Sequence, residues 1–284
     1  DQLYALGFNS ATDELVSVQN GINALRQVGG GVGEWSWINV YSNVDYHYKH
    51  KFFAGISAAF DASSRFGEQA TEGFKLGDVP VAVMPSVNFA WLVSSEKFMA
   101  QSGISLLKLR ASASKAGNDD IGNYSARQTY RSQNLLGMQG LLRSGIANPY
   151  LQWENVARLN LGVDLGLWND RIQFTADLWS NKTTKMLTYK SVESIFGFDE
   201  VLTNEGEMKT NGVDLSLNVR AINKSKLKWD ISANATTYKN EVISIPGDRF
   251  TTNYAGATLL TEEGQAASQF YGLTTNGVFA SAAE

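Results

Sequence analysis

Along much of this chain an apolar residue stands at every second position, and that period permits β-strands and excludes amphipathic helix. Leu107, Leu109, Ala111 and Ala113 alternate with Lys108, Arg110, Ser112 and Ser114. Leu159, Leu161, Val163, Leu165 and Leu167 alternate with Asn160, Gly162, Asp164 and Gly166. The same rhythm runs through 172–179, 213–220, 227–236 and 38–48, more weakly through 52–60 and 86–93, and again from about 269 to 280. This predicts about nine to ten strands. The connections between them also alternate. Short ones fall at 49–51, 169–171 and 223–226, with a slightly longer one at 94–103; long ones fall at 61–85, 117–153, 187–204 and 243–268. Antiparallel up-and-down strands with tight turns at one end and long loops at the other give that order.

A soluble sandwich alternates too, so the period leaves a soluble all-β module open. Three further features favour a membrane barrel. Charges sit well inside the strands on the polar positions: Lys108, Arg110, Asp164, Asp177, Asp214, Arg220 and Asp230. A water-filled lumen accepts them, as would a water-exposed sheet face, and a sandwich core does not. The alternation of loop length is that of outer-membrane barrels. Tyr46, Tyr48, Phe52, Phe53, Trp168 and Trp229 cluster beside the short turns, where an interfacial girdle lies. The expected fold is therefore all-β, a section of an up-and-down antiparallel transmembrane β-barrel.

Composition removes other classes. The chain has no Cys and two His, His47 and His50, so thiolate chemistry, disulfides and Cys- or His-rich metal sites are not expected. A net charge of −4 argues against a nucleic-acid partner. With 7 Trp, 11 Tyr and 14 Phe the chain is not disordered. No signal peptide is expected at Asp1-Gln2-Leu3-Tyr4, and no run of about 18 apolar residues predicts a membrane helix. One helix is predicted, capped by Thr12 or Asp13, with Leu15, Val18, Ile22, Leu25 and Val28 on one face and Gly29-Gly30-Gly31 ending it. Residues 272–284 read as the middle of an element, which predicts a section of a longer chain.

Several segments, in order, resemble the SusC/RagA-like TonB-dependent outer-membrane transporters. They include Asp61 to Gly67, Pro85 to Phe98, Leu107 to Asn118, Asn148-Pro-Tyr-Leu-Gln-Trp-Glu154, Asn169 to Ile172, Gly206 to Gly212 and Phe270 to Phe279. Together they span nearly the whole chain. The resemblance implies a much longer protein, with an N-terminal plug, a TonB-contacting segment and a closed barrel of about 22 strands. Residues 1–284 then form part of one receptor barrel domain, with no recognisable plug. The intact protein would import glycans or peptides across the outer membrane, with a SusD-like surface lipoprotein as lid and TonB supplying energy. No catalysis and no cofactor are implied.

Residue by residue, the chemistry is that of capture. Tyr124, Tyr130, Tyr150, Trp153 and Tyr254 fall in the long-loop regions, and aromatic faces with neighbouring Asn, Asp and Gln suit sugar or peptide binding. Glu193, Glu200, Glu205 and Glu207 could supply a carboxylate pair for glycan hydrolysis, although solvated loop charges explain them as well. Asn118 with Asp119 and Asp120 could offer oxygen ligands to calcium, but their spacing matches no such loop and a turn cap explains them better. The glycine run at 29–33 lacks the strand before and the Lys-Ser/Thr after that a phosphate loop needs. A barrel section, a soluble carbohydrate- or peptide-binding module and a β-rich hydrolase remain as readings, in that order.

Overall fold

The computed structural model describes residues 2–6, 27–31, 33–135 and 138–274. Two compact units divide at Ser36. In the first, β1 (Gln2–Leu6) pairs antiparallel with β2 (Gln27–Gly31). Val28 to Gly31 are thus strand, contrary to the predicted helix end. Without side chains to crowd the ladder, Gly29 to Gly31 pair directly with Leu3 and its neighbours. The rest of the predicted helix lies outside the described residues.

The second unit is built on one large sheet. Its strands are β3 (Trp37–Tyr48), β4 (Phe52–Ser63), short β5 (Phe74–Leu76), β6 (Val79–Leu92), β7 (Ile104–Asn118), β10 (Glu154–Leu167), β11 (Ile172–Ser191), β12 (Glu200–Lys224) and β13 (Leu227–Ser244). Apart from β5, which flanks β6, each long strand pairs antiparallel with its neighbours in chain order, from β3 at one edge to β13 at the other. Two hairpins stand in the long connections. They are β8 (Tyr130–Leu135) with β9 (Met138–Arg143), and β14 (Arg249–Tyr254) with β15 (Ala257–Glu262), to which β16 (Gln269–Phe270) adds. The strand expected over 269–280 is described only as β16.

Strand positions agree with the alternation, and strand lengths do not. A barrel strand crosses a bilayer in about 9–11 residues, yet β11 has 20 residues and β12 has 25. The loop expected over 187–204 shrinks to 192–199, because both strands continue as a ribbon above the span. A bulge between Thr183 and Met186 interrupts the ladder there, with Lys185 at φ 55°. Bulges of this kind bend a strand and increase its local twist.

Register fixes the two faces. Paired residues lie on the same side of a sheet, so Leu109, Val163, Ala176, Leu215 and Ala235 form one row across β7 to β13. Tyr48, Phe52 and Trp91 pair in a row on that apolar face, as do Tyr46 and Ala54. Phe52 stacks on Trp91 with ring centroids 5.9 Å apart. Tyr46, Tyr48 and Trp229 are all about half exposed or more, which suits a girdle beside the short turns. Phe53 departs from the expected girdle. One position along from Phe52, it pairs with His47 and Ala90 on the polar face.

The buried core sits at the long-loop end, not in the middle of the sheet. Phe66, Ala82, Ile121, Ala126, Leu151 and Trp153 form it, with Met84, Leu187 and Leu202 packed against them. Gly67 N–H donates to the Leu151 carbonyl at 2.7 Å, and Gln69 N–H donates to that of Pro149 at 2.8 Å. The Gln152 side chain accepts from the backbone N–H groups of Thr71 and Glu72. Asn204 of β12 accepts from Gln152 N–H and donates to the carbonyls of Gln152 and Lys185. The segments 67–72 and 149–152 are thus tied to each other, and through Gln152 to Asn204 of β12.

Candidate functional site

The charged polar positions come together on one face. Lys108 pairs with Asp164, Arg110 and Asp177 each pair with Gly162, Asp177 pairs with Asp214, and Arg220 pairs with Asp230. At the centre, the Arg110 guanidinium donates twice to Asp164, both at 2.9 Å, and twice to Asp177, both at 3.0 Å. Two carboxylates on adjacent strands are thus neutralised by one bidentate cation from the next. Gly162 makes this possible, since a Cβ there would collide with the guanidinium and with Asp177. Arg220 Nε and Asp230 form a looser, exposed pair at 3.6 Å. Glycine plays the same part elsewhere on this face. A Cβ at Gly55 would meet Asn88 and Asp45, and one at Gly212 would meet the six-membered ring of Trp179. The long side chains lie down across the strands.

A second constellation lies at the long-loop end. A cleft of about 670 Å³ opens between the β7–β10 connection and the tip of the β11–β12 ribbon. Tyr124, Tyr189 and Phe198 line it, with Arg127, Asp199 and Glu200. Tyr124 is held at φ 67° and is 39% exposed, while Tyr189 is 65% exposed. Aromatic faces, one cation and two carboxylates in one concavity can hold a polar, ring-bearing or zwitterionic solute.

Of the five aromatics picked from sequence, Tyr124 alone lines this cleft. Tyr130, Tyr150 and Tyr254 are exposed elsewhere on the long-loop side. Trp153 is withdrawn from the ligand-binding set. It is 1% exposed, packs on Phe66 at 4.8 Å and donates Nε1–H to Asn155 at 3.1 Å, so its ring is core. Tyr189 and Phe198 also fall within the long connection 187–204, so the signal that picked the other five aromatics applies to them too; β11 carries Tyr189, and Phe198 lies just beyond it. The outward positions of a longer β11 would have pointed to Tyr189. The glutamates fit the solvated-charge reading: Glu205 pairs with Lys190 at 2.9 Å and Glu207 with Lys182 at 2.7 Å. Asn118 Oδ1 accepts the Asp120 N–H at 3.2 Å, a turn cap.

Glu72 fastens the loop beside these elements. It takes Lys115 of β7 at 3.0 Å and Lys185 of the β11 bulge at 3.3 Å. The hydrogen bond from Lys115 first, and that from Lys185 with both charges, hold its carboxyl below the ordinary 4.5 against opposing desolvation. A lowered folded value means that the stabilisation is full above the ordinary range. It is lost as pH falls through 4.5 and then through the lowered value. Hydrogen exchange across 64–78, corrected for its intrinsic pH dependence, is expected to quicken over that acid window. Glu72→Gln should abolish the pH step, and a step that survives the substitution would refute the assignment.

Known proteins resemble this chain over most of its length. The family model described as TonB dependent receptor-like, beta-barrel matches residues 2–280. TonB-dependent receptor P39 of Formosa agariphila is 30% identical over 243 residues, 85% of this chain and 22% of the relative. TonB-dependent receptor SusC of Bacteroides thetaiotaomicron is 25% identical over 228 residues, 74% of this chain and 21% of the relative. Among solved structures, that of the RagAB peptide transporter superposes with a TM-score of 0.78 at 27% identity, over 91% of this chain and 28% of that one. The chain thus spans about a fifth to a quarter of the curated relatives it matches.

Proposed function

From the premise that the chain belongs to the TonB-dependent receptor-like β-barrel family, we propose that it is a section of the wall of an outer-membrane importer whose polar face lines the lumen. The observation that carries this reading is the two-faced sheet. One face is an apolar band ending in Tyr46, Tyr48, Phe52, Trp91 and Trp229; the other holds Lys108, Arg110, Asp164, Asp177, Asp214, Arg220 and Asp230. Lipid accepts the first and only a watery passage accepts the second. The soluble-module reading loses its support, because it would leave that aromatic band in water.

In this reading the cleft at Tyr124, Tyr189 and Phe198 captures a glycan or peptide. A SusD-like surface lipoprotein closes over it, TonB acts through a part of the protein outside these residues, and the chain performs no catalysis. The name of the RagAB peptide transporter supports peptide as a cargo class, while glycan cargo and the lipoprotein lid rest on the resemblance to SusC/RagA-like transporters.

These residues contain no Cys, so, with any cysteine elsewhere in the full-length receptor replaced by serine, single cysteines report on each face directly. In the full-length receptor in intact outer membranes, Ser112→Cys and Asn160→Cys are expected to react with a charged, membrane-impermeant maleimide. Leu109→Cys and Leu161→Cys should react only with a lipid-soluble reagent. The reverse pattern would overturn the lumen assignment. For the cleft, Tyr124→Ala with Tyr189→Ala should weaken cargo capture about five- to thirtyfold, which corresponds to the loss of about 1–2 kcal/mol of ring contact. Unchanged capture would remove the cleft from the path.

A further inference from the structure

The polar face carries two adjacent levels of opposite character. At the level of Gly162 the charges satisfy one another through Arg110, Asp164 and Asp177. One step toward the long loops, Trp179 pairs with Asn160 and with Gly212, and Gly212 pairs in turn with Tyr238. One step further, Arg158 pairs with Asn181. Among the described residues, no hydrogen bond or ion pair engages the side chains of Arg158, Asn160, Asn181 or Trp179. Arg158 is exposed, and Tyr238 is 65% exposed.

We infer that Trp179, Arg158, Asn160 and Asn181 form a subsite on this wall for a carboxylate-bearing sugar ring, such as a uronic acid residue of an oligosaccharide. The inference rests on the importer reading, in which this face lines the passage. Each part has a chemical counterpart in such a ring. Gly212 lets the indole lie flat, so its outer face is offered broadside to the C–H face of a pyranose. Two free amides on adjacent strands can exchange hydrogen bonds with vicinal hydroxyls. Arg158 stands diagonal to Trp179, about 7–8 Å away across the antiparallel pair, within reach of a carboxylate on a ring seated on the indole. Its planar fork suits two carboxylate oxygens.

A flat aromatic over glycine also stabilises a sheet by covering it. That role accounts for Trp179, but not for a free guanidinium and two free amides around it. A peptide fits less well here. An extended peptide gains most from a free strand edge, and β10 and β11 are hydrogen-bonded on both sides.

The test uses the full-length receptor in detergent, with trigalacturonate, its carboxyl-reduced counterpart and triaspartate as probes in calorimetry. The expected result is that trigalacturonate binds more tightly than the reduced sugar, less so at high salt. Arg158→Gln should weaken trigalacturonate at least tenfold while leaving the reduced sugar unchanged, and Trp179→Leu should weaken both. Both variants are first checked for wild-type folded mobility on an unheated gel. Should Trp179→Leu fail that check, Trp179→Phe, which keeps a smaller ring, replaces it.

Binding of triaspartate in place of the sugar, binding indifferent to both substitutions, or no binding of any probe would each overturn the subsite. Failure of the importer reading is separable. If Ser112→Cys is labelled by the impermeant reagent and the sugar still does not bind, the subsite alone falls. If Ser112→Cys cannot be reached from water, the lumen assignment falls with it.

Discussion

Replacing Trp153 by alanine is expected to cost about 3–5 kcal/mol of packing at the long-loop end, the range for removing a buried aromatic. The ring touches both long connections at once. Phe66 comes from one and Leu151 from the other, with Leu187 and Leu202 from the β11–β12 ribbon. Gly73, at φ +75°, and Gly117 leave it room on two sides. Its loss opens a cavity that cannot collapse, because the clamps at Gly67, Gln152 and Asn204 hold the surrounding backbone apart. The effect should be local. Hydrogen-exchange protection at 64–78 and 119–129 should fall by orders of magnitude, while β3 to β13 near the short turns keep theirs. Cargo capture by the adjacent cleft should weaken in parallel. Unchanged protection in Trp153→Ala would mean that the loops are held by their hydrogen bonds alone.

The second large effect is expected at Arg110. Arg110→Met keeps much of the volume and strands Asp164 and Asp177 beside each other without a cation. Breaking a fully buried pair costs about 3–5 kcal/mol. Here the three side chains retain 31%, 22% and 17% exposure, so water repays part, and about 2 kcal/mol is the expected loss. The diagnostic is rescue. Asp164→Asn with Asp177→Asn in the Arg110→Met background should recover most of the loss, because the penalty comes from the uncompensated carboxylates. Urea unfolding of the full-length receptor in micelles measures all three. A triple variant no better than Arg110→Met would place the damage in lost packing over Gly162 instead.

Strand positions were legible because the side-chain period is a local property. Leu107 to Ser114 alternate whatever lies beyond them, and β7 contains them in register. Strand ends were not legible. β11 and β12 run past the hydrophobic span, where alternation fades into Thr, Lys and Asn. Trp153 misled in a different way. A loop aromatic among polar neighbours reads as a binding residue, and only the three-dimensional return of Phe66 and Leu202 makes it core. Seven scattered charges could be placed on one face from parity, but their partners depend on register. The bidentate meeting of Arg110 with two aspartates on two strands is not written in any single segment.

Gly55, Gly162 and Gly212 allow Asn88, Arg110 and Trp179 to recline against the sheet. In the importer proposed above, where that face lines the passage, these glycines would set its clearance. A wall of upright arginines and tryptophans would narrow the bore from every side, whereas a wall of reclining ones leaves width for a bulky cargo. A methyl group at any of the three positions would force the overlying side chain into the open space. The girth of what can pass, measured as a polymer size cut-off, would then shrink with no change in the charge of the wall.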